Sequence, residues 1–231
     1  MLYPEQCPVC GALEFEYIPV LWAELVDEWE LNENQKNYMN KQQGLGCKGC
    51  GNNLRVMAIA HSLIREYSPE SRYLDVMIDS GVFNDLRVLE VNSVGNLSSH
   101  LQRIKNHKHI AYPEYDFQAL SLEDDTYDIV LHSDTLEHIP NFKLALSETH
   151  RILNVGGVCI FTIPLIVERL TRSRKGLPAS FHGIEGNRTP DYFVHTEFGA
   201  DFWTFALEVG FSELTICNFE YPSGLAIKMR K

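Results

Sequence analysis

Residues 120–140 read LSLEDDTYDIVLHSDTLEHIP. Within this stretch Tyr127–His132 is a short apolar, β-rich run and predicts a strand. Upstream, Arg87–Val91 predicts a second strand, followed by a turn of Gly, Asn and Ser, a helix from Leu97 to Ile104, and a strand at His109–Tyr112. Downstream, Phe142–Leu153 predicts a helix and Val158–Ile163 a strand. This alternation predicts an α/β domain with a mostly parallel sheet and helices on both faces. The tail adds a helix from Gly199 to Val209, stopped at Gly210, then strands at Glu213–Phe219 and Leu225–Met229. Tyr221-Pro222-Ser223-Gly224 lies between those strands and predicts an antiparallel hairpin on the sheet edge.

The first 55 residues differ in texture. Cys7-Pro8-Val9-Cys10-Gly11 and Cys47-Lys48-Gly49-Cys50-Gly51 are two knuckles of one form, 36 residues apart. Two thiolates three positions apart on a tight turn reach one ion, and two such knuckles complete a tetrahedral shell, so Cys7, Cys10, Cys47 and Cys50 predict a closed structural Zn²⁺ site. Between them Leu21, Trp22, Leu25, Trp29 and Leu31 suggest an amphipathic turn or helix, and Asn32-Glu33-Asn34-Gln35 a capping box. The tryptophans are expected to pack this module against the main domain; a lid facing substrate is the alternative. A helix over Leu54–Tyr67 leads out of the module, and another over Tyr73–Ile78 closes at Gly81. The expected division is a zinc-binding, ribbon-like module at 1–55 and a Rossmann-like domain at 56–231.

Composition narrows the function. The chain has 231 residues, 45% of them hydrophobic, which excludes disorder and allows a full core without disulfides. A net charge of −11 disfavours nucleic acid as partner, because phosphate binding runs on Lys and Arg. No apolar stretch reaches membrane-spanning length and no signal segment opens the chain, so a cytoplasmic protein is expected. Cys159 and Cys217 stand alone in apolar runs and are expected to be buried and reduced. Residues 168–192 form a long, basic connection containing Arg169, Arg172, Arg174 and Lys175, of the kind that is functional or mobile in a compact domain.

Residues 87–97, RVLEVNSVGNL, place an acid at a strand end, then a turn of small residues, then a helix. This order resembles the first motif of class I S-adenosylmethionine-dependent methyltransferases, acid-x-Gly-x-Gly-x-Gly, with Asn92, Val94 and Asn96 at the glycine positions and Gly95 one place out. Residues 120–140 are similar to the family's "L-P-F-x-D-x-S-F-D-x-V" and "x-L-E-H-V", and 145–157, ALSETHRILNVGG, to its "A-L-x-E-x-x-R-V-L-K-P-G-G". The resemblance covers about 85 to 230 and is closest to the type 11 branch. It implies S-adenosylmethionine as cofactor, with Glu90, Asn92, Ser93 and Gly95 near its methionine part, Glu114 at the ribose, Asp116 and Phe117 at the adenine, and His132 and Ser133 beside the sulfonium. The interval that holds the family's third strand is largely deleted. His132, His138 and His195 are the candidate bases, since a neutral imidazole suits a hydroxyl acceptor.

The expected function is methyl transfer to a small-molecule or glycan acceptor. Two rivals stand beside it. The altered glycine motif would suit a degenerate fold serving as a binding or scaffold module, and a local patch at Arg169–Lys175 would suit a zinc-ribbon RNA methyltransferase.

Overall fold

A computed structural model describes residues 3–183, 185–186 and 188–231. In chain order the elements are β1 (Phe15–Tyr17), α1 (Ala23–Glu28), α2 (Glu33–Gly44), β2 (Leu45–Cys47), α3 (Leu54–Tyr67), α4 (Leu74–Asp79), β3 (Val88–Val91), α5 (Leu97–Leu101) and β4 (His107–Ile110). They continue with β5 (Tyr127–Ser133), α6 (Phe142–Ile152), β6 (Leu153–Thr162), β7 (Leu165–Ile166), β8 (Arg172–Ser173), β9 (Thr196–Gly199), α7 (Phe202–Val209), β10 (Glu213–Glu220) and β11 (Gly224–Arg230).

The main sheet runs β10-β11-β6-β5-β3-β4. β4, β3, β5 and β6 are parallel, while β11 joins β6 antiparallel and β10 closes the edge as its hairpin partner. Among the described residues no strand lies beyond β4, in keeping with the shortened interval after it. Strands buried on both faces explain the near-continuous apolar runs that mark them in sequence. One face carries α3, α4 and α5, with Val56, Met57, Ile59, Ala60 and Leu63 of α3 packed on Ile129, Leu131, Val158 and Ile160. The other carries α6 and α7, which pack on Leu89, Val130, Cys159 and Phe161.

Asn32 and Gln35 form the expected capping box at α2, and Gly210 ends α7 in the left-handed region at φ 111°. Several boundaries differ from expectation, among them β4, which lies at His107–Ile110 and not His109–Tyr112. The helix after β3 stops at Leu101, and β6 begins five residues earlier than expected, at Leu153, which pairs with Tyr127. Thr196–Gly199 is a strand, so α7 starts only at Phe202. Gly199 is needed there because a Cβ would strike the Arg169 carbonyl, and its amide donates to Thr171 Oγ1 at 3.0 Å. Cys159 is fully buried, whereas Cys217, on the edge strand, is only half-buried and accepts from Ser62 Oγ at 3.1 Å.

The long basic connection folds as a cap. β7, β9 and β8 form a small sheet, and Val194 N to Ser180 O (2.9 Å) and His182 N to Tyr192 O (2.9 Å) tie its two limbs. Its arginines are spent internally: Glu197, 2% exposed, accepts from Arg172 Nε at 2.7 Å and pairs with Arg174, with Arg169 3.7 Å away. Ions this deeply placed are held only when paired and hydrogen-bonded. The cap and the N-terminal helices share a third apolar cluster, in which Trp29, 1% exposed, packs with Leu25, Met39, Ile166 and Val194 and donates from Nε1 to Ser180 Oγ at 2.9 Å. Trp29 therefore packs the N-terminal segment onto the rest. Trp22 is half-buried at the rim of that cluster.

Candidate functional site

From β3 the chain turns to one side to form β4, then crosses to the other side of β3 to form β5. The carboxyl ends of β3 and β5 therefore flank a topological switch point, the place where open parallel sheets leave a crevice for ligands. Residues 92–95 and 133–138 form its two lips, and the register Glu90 to Leu131 sets them at one level.

The first lip is built without the glycine pattern. Asn92 and Gly95 both adopt φ 56°, so the left-handed turns that glycines would supply are made by one Asn and one displaced Gly. Asn92 Oδ1 accepts from Tyr112 N at 3.3 Å, tying the turn to the segment after β4. Ser93, Gly95 and Asn96 are exposed on the turn. Glu90 is fully buried beneath it. Its carboxylate accepts from Val94 N at 2.8 Å, from Ser98 Oγ, and at 3.0 Å from His107 Nε2. Burial pushes the Glu90 carboxyl up, but the three hydrogen bonds outweigh it and hold the group below the usual carboxylate range. Both oxygens already accept hydrogen bonds and the group is fully buried, so Glu90 shapes the turn from within.

Glu114 and Asp116 are exposed beyond β4, after Tyr112 and Pro113. Asp116 Oδ1 accepts from Gln118 N at 2.9 Å, which fixes the carboxylate and leaves its other oxygen open. Phe117 is buried. It meets His132 edge-on at 5.5 Å, while Phe161 stacks on the other side at 4.5 Å. His132 thus does not stand open at the strand mouth: it is fully buried, neither ring nitrogen has a hydrogen-bond partner, and burial draws it down to about 3. An imidazole sealed in this way is a poor base for an acceptor near neutrality, so the geometry goes against its candidacy.

The second lip follows. Ser133 Oγ lies 2.8 Å from Thr162 Oγ1. Asp134, in the left-handed region at φ 44°, accepts from Gln43 Nε2 at 2.7 Å and pairs with Arg55. These two partners come from α2 and α3, and sequence reading gave no sign of them. His138 donates from Nδ1–H to the Phe193 carbonyl at 3.0 Å, which fixes its tautomer. His195 is half-buried, and burial together with nearby His138 lowers its affinity for a proton. It lines a hollow of about 540 Å³ with Asn141, Phe142, Arg174, Leu177 and Phe193.

The four cysteines meet as the spacing predicts. Cys7 and Cys50 sulfurs are 3.7 Å apart, as are those of Cys10 and Cys47. Bonds of about 2.3 Å to a tetrahedral ion set sulfurs about 3.8 Å apart, so the donor set fits zinc. Gly11 and Gly51, at φ 80° and 69°, make the knuckle turns. A Cβ at Gly51 would fall 2.5 Å from the Asn96 amide, so the second knuckle seats directly against the 92–97 turn.

With this geometry in view, residues 72–161 match the family model of a methyltransferase domain, Methyltransf_11. That segment is what the match identifies as a methyltransferase domain of the S-adenosylmethionine-dependent kind, and N-terminal to it four clustered cysteines suggest zinc. Among solved structures it is similar to an S-adenosylmethionine-dependent methyltransferase from Thermotoga maritima described as a possible histamine N-methyltransferase, at 15% identity over 73% of this chain and 92% of that one, with TM-score 0.40. It is also similar to such methyltransferases from Mesorhizobium loti (11% identity, 68% and 96% covered, TM-score 0.41) and Methanosarcina mazei (11%, 67% and 96%, TM-score 0.41). No protein of curated function matches the chain. Among the described residues, no helix is long and apolar enough to cross a membrane.

Proposed function

We propose that the chain transfers the methyl group of S-adenosylmethionine to a small-molecule or glycan acceptor lodged under the 165–199 cap. The observation that carries this reading is the cap itself: a folded cover, locked by Glu197 and Trp29, whose hollow of about 540 Å³ is of the size that encloses a small ligand. RNA is disfavoured because Arg169, Arg172 and Arg174 are consumed by Glu197 and form no open patch.

When bound, S-adenosylmethionine supplies an electrophilic methyl on a positively charged sulfur. The turn at Asn92, Ser93 and Gly95 offers exposed backbone to its amino-acid end, and the free oxygen of Asp116, with Glu114 nearby, suits its nucleoside hydroxyl or amino groups. Ser133 borders the crevice at the end of β5. An acceptor that carries a proton on the atom to be methylated would have to give that proton to a base. His195, which lines the hollow, is the residue we put forward for that base. Methyl transfer needs little else beyond orientation and dryness. In this reading residues 1–55 form the zinc module that buttresses the 92–97 turn.

The test is release of S-adenosylhomocysteine from S-adenosylmethionine in the presence of pooled glycans, small metabolites or RNA. Turnover with the first two pools, reduced in Asp116→Ala and His195→Ala, is expected. Turnover with RNA alone would contradict the acceptor class.

A further inference from the structure

Glu137, His138 and His182 converge at the second lip from two separate parts of the chain. Glu137 and His138 belong to a single 3-10 turn, Leu136–His138, just past β5. His182 stands on the cap limb, held by the bond from its own amide to Tyr192 O. Glu137 Oε1 lies 3.6 Å from His138 Nε2 and 3.7 Å from His182 Nδ1. These separations are too long for hydrogen bonds. Glu137 is fully buried, and neither of its carboxylate oxygens has a hydrogen-bond partner; nor has the buried Nδ1 of His182. A buried carboxylate with no partner is costly enough to need an explanation.

Two ligand atoms on one ion, each at about 2.1 Å and subtending 110–120°, lie about 3.4–3.6 Å apart. The observed spacings are close to that. The orientation agrees as well: the Phe193 carbonyl accepts from His138 Nδ1–H at 3.0 Å, leaving the Nε2 lone pair directed at Glu137. A backbone carbonyl behind a ligating imidazole is the usual device for fixing its tautomer. Trp29 packs against the His182 ring at 5.7 Å, and the two histidine rings lie nearly parallel at 6.0 Å.

We propose that Glu137, His138 and His182 bind a divalent first-row transition-metal ion, distinct from the ion of the four cysteines. Two imidazoles and one carboxylate without thiolate suit manganese, iron, cobalt or zinc. Three protein ligands leave coordination positions open, and these can hold an oxygen atom of water or of an acceptor hydroxyl. The role toward an acceptor rests on the methyltransferase reading; metal binding itself does not.

The experiment is a titration of the full chain with Mn²⁺, followed by the electron paramagnetic resonance signal of the free ion, after dialysis against EDTA has cleared the open site. Manganese has little preference for thiolates, so the cysteine cluster does not compete. The wild type is expected to remove one equivalent of Mn²⁺ from solution. His182→Ala and Glu137→Gln should each weaken uptake by about 10-fold or more. A second readout guards against misfolding. Without metal Glu137→Gln should match or exceed the wild-type melting temperature, because it replaces a buried carboxyl group that has no hydrogen-bond partner, whereas Mn²⁺ should raise only the wild-type value. No uptake by the wild type, or equal uptake by all three proteins, would overturn the assignment. Neither result depends on methyl transfer.

Discussion

Arg55, in the first turn of α3, forms an ion pair with Asp134, the residue that follows β5. The pair links the helix that leaves the cysteine module to the mouth of the crevice, and Gln43 on α2 donates to the same carboxylate oxygen at 2.7 Å. Asp134 is 5% exposed and Arg55 19% at the side chain, so neither charge has much water to fall back on. Arg55→Ala should destabilise the protein by about 3 kcal/mol in urea unfolding, mostly because Asp134 is left buried and underpaired. The double variant with Asp134→Ala should lose less than the sum of the two single changes.

The cysteine cluster is continuous with the main core, since Cys7, Val9 and Cys47 pack in the same apolar layer as α3 and β5. One zinc per chain should therefore survive EDTA dialysis, and elemental analysis of Cys47→Ser should show it gone. The same variant should lose several kcal/mol of stability, on the scale that structural zinc supplies, and loosen the 92–97 turn that the second knuckle abuts.

His132 gives the protein an acid-sensitive term. It is neutral in the fold, drawn to about 3 by burial, while in the unfolded chain it protonates near 6.5. The unfolded state thus binds more protons between those values, and stability falls as pH drops from about 6.5 toward 3, by at most about 1.4 kcal/mol per unit. Urea unfolding at pH 7 and pH 5 should show the loss in the wild type and a smaller loss in His132→Leu.

Glu90 adds a later limb. Burial favours its neutral form, but His107, Ser98 and Val94 together hold it ionised. With the folded group below its ordinary range, its contribution is present above about pH 4.5 and is lost as pH falls further. Glu90→Gln should cost about 2 kcal/mol at pH 7, the size of a lost charge-assisted hydrogen bond, and should weaken cofactor binding through the turn, as read by calorimetry.

Long, periodic elements were legible in the sequence. Leu54–Tyr67 is found at both its expected ends because its apolar spacing and its Asn53 cap agree. The paired knuckles and the C-terminal hairpin were equally plain, since each rests on turn chemistry within a few residues. The cap strands were not, because β7 and β8 have two residues each and exist only through their pairing with β9. Gln43, Arg55 and His182 carry no local signal of function; tertiary folding alone brings them to the crevice. His132 misled for the opposite reason, since its place at a strand end suggested access that Phe117 and Phe161 deny.

The central claim is that an altered turn, with Asn92 in place of a glycine, still holds the cofactor. Calorimetric titration of the zinc-loaded protein with S-adenosylhomocysteine and S-adenosylmethionine, repeated on Asp116→Ala, tests it most directly. The account predicts micromolar binding of both, weakened about 10-fold or more in the variant, as loss of a charged hydrogen-bond acceptor implies. Absence of binding by the wild type would contradict it and leave the fold as a binding module.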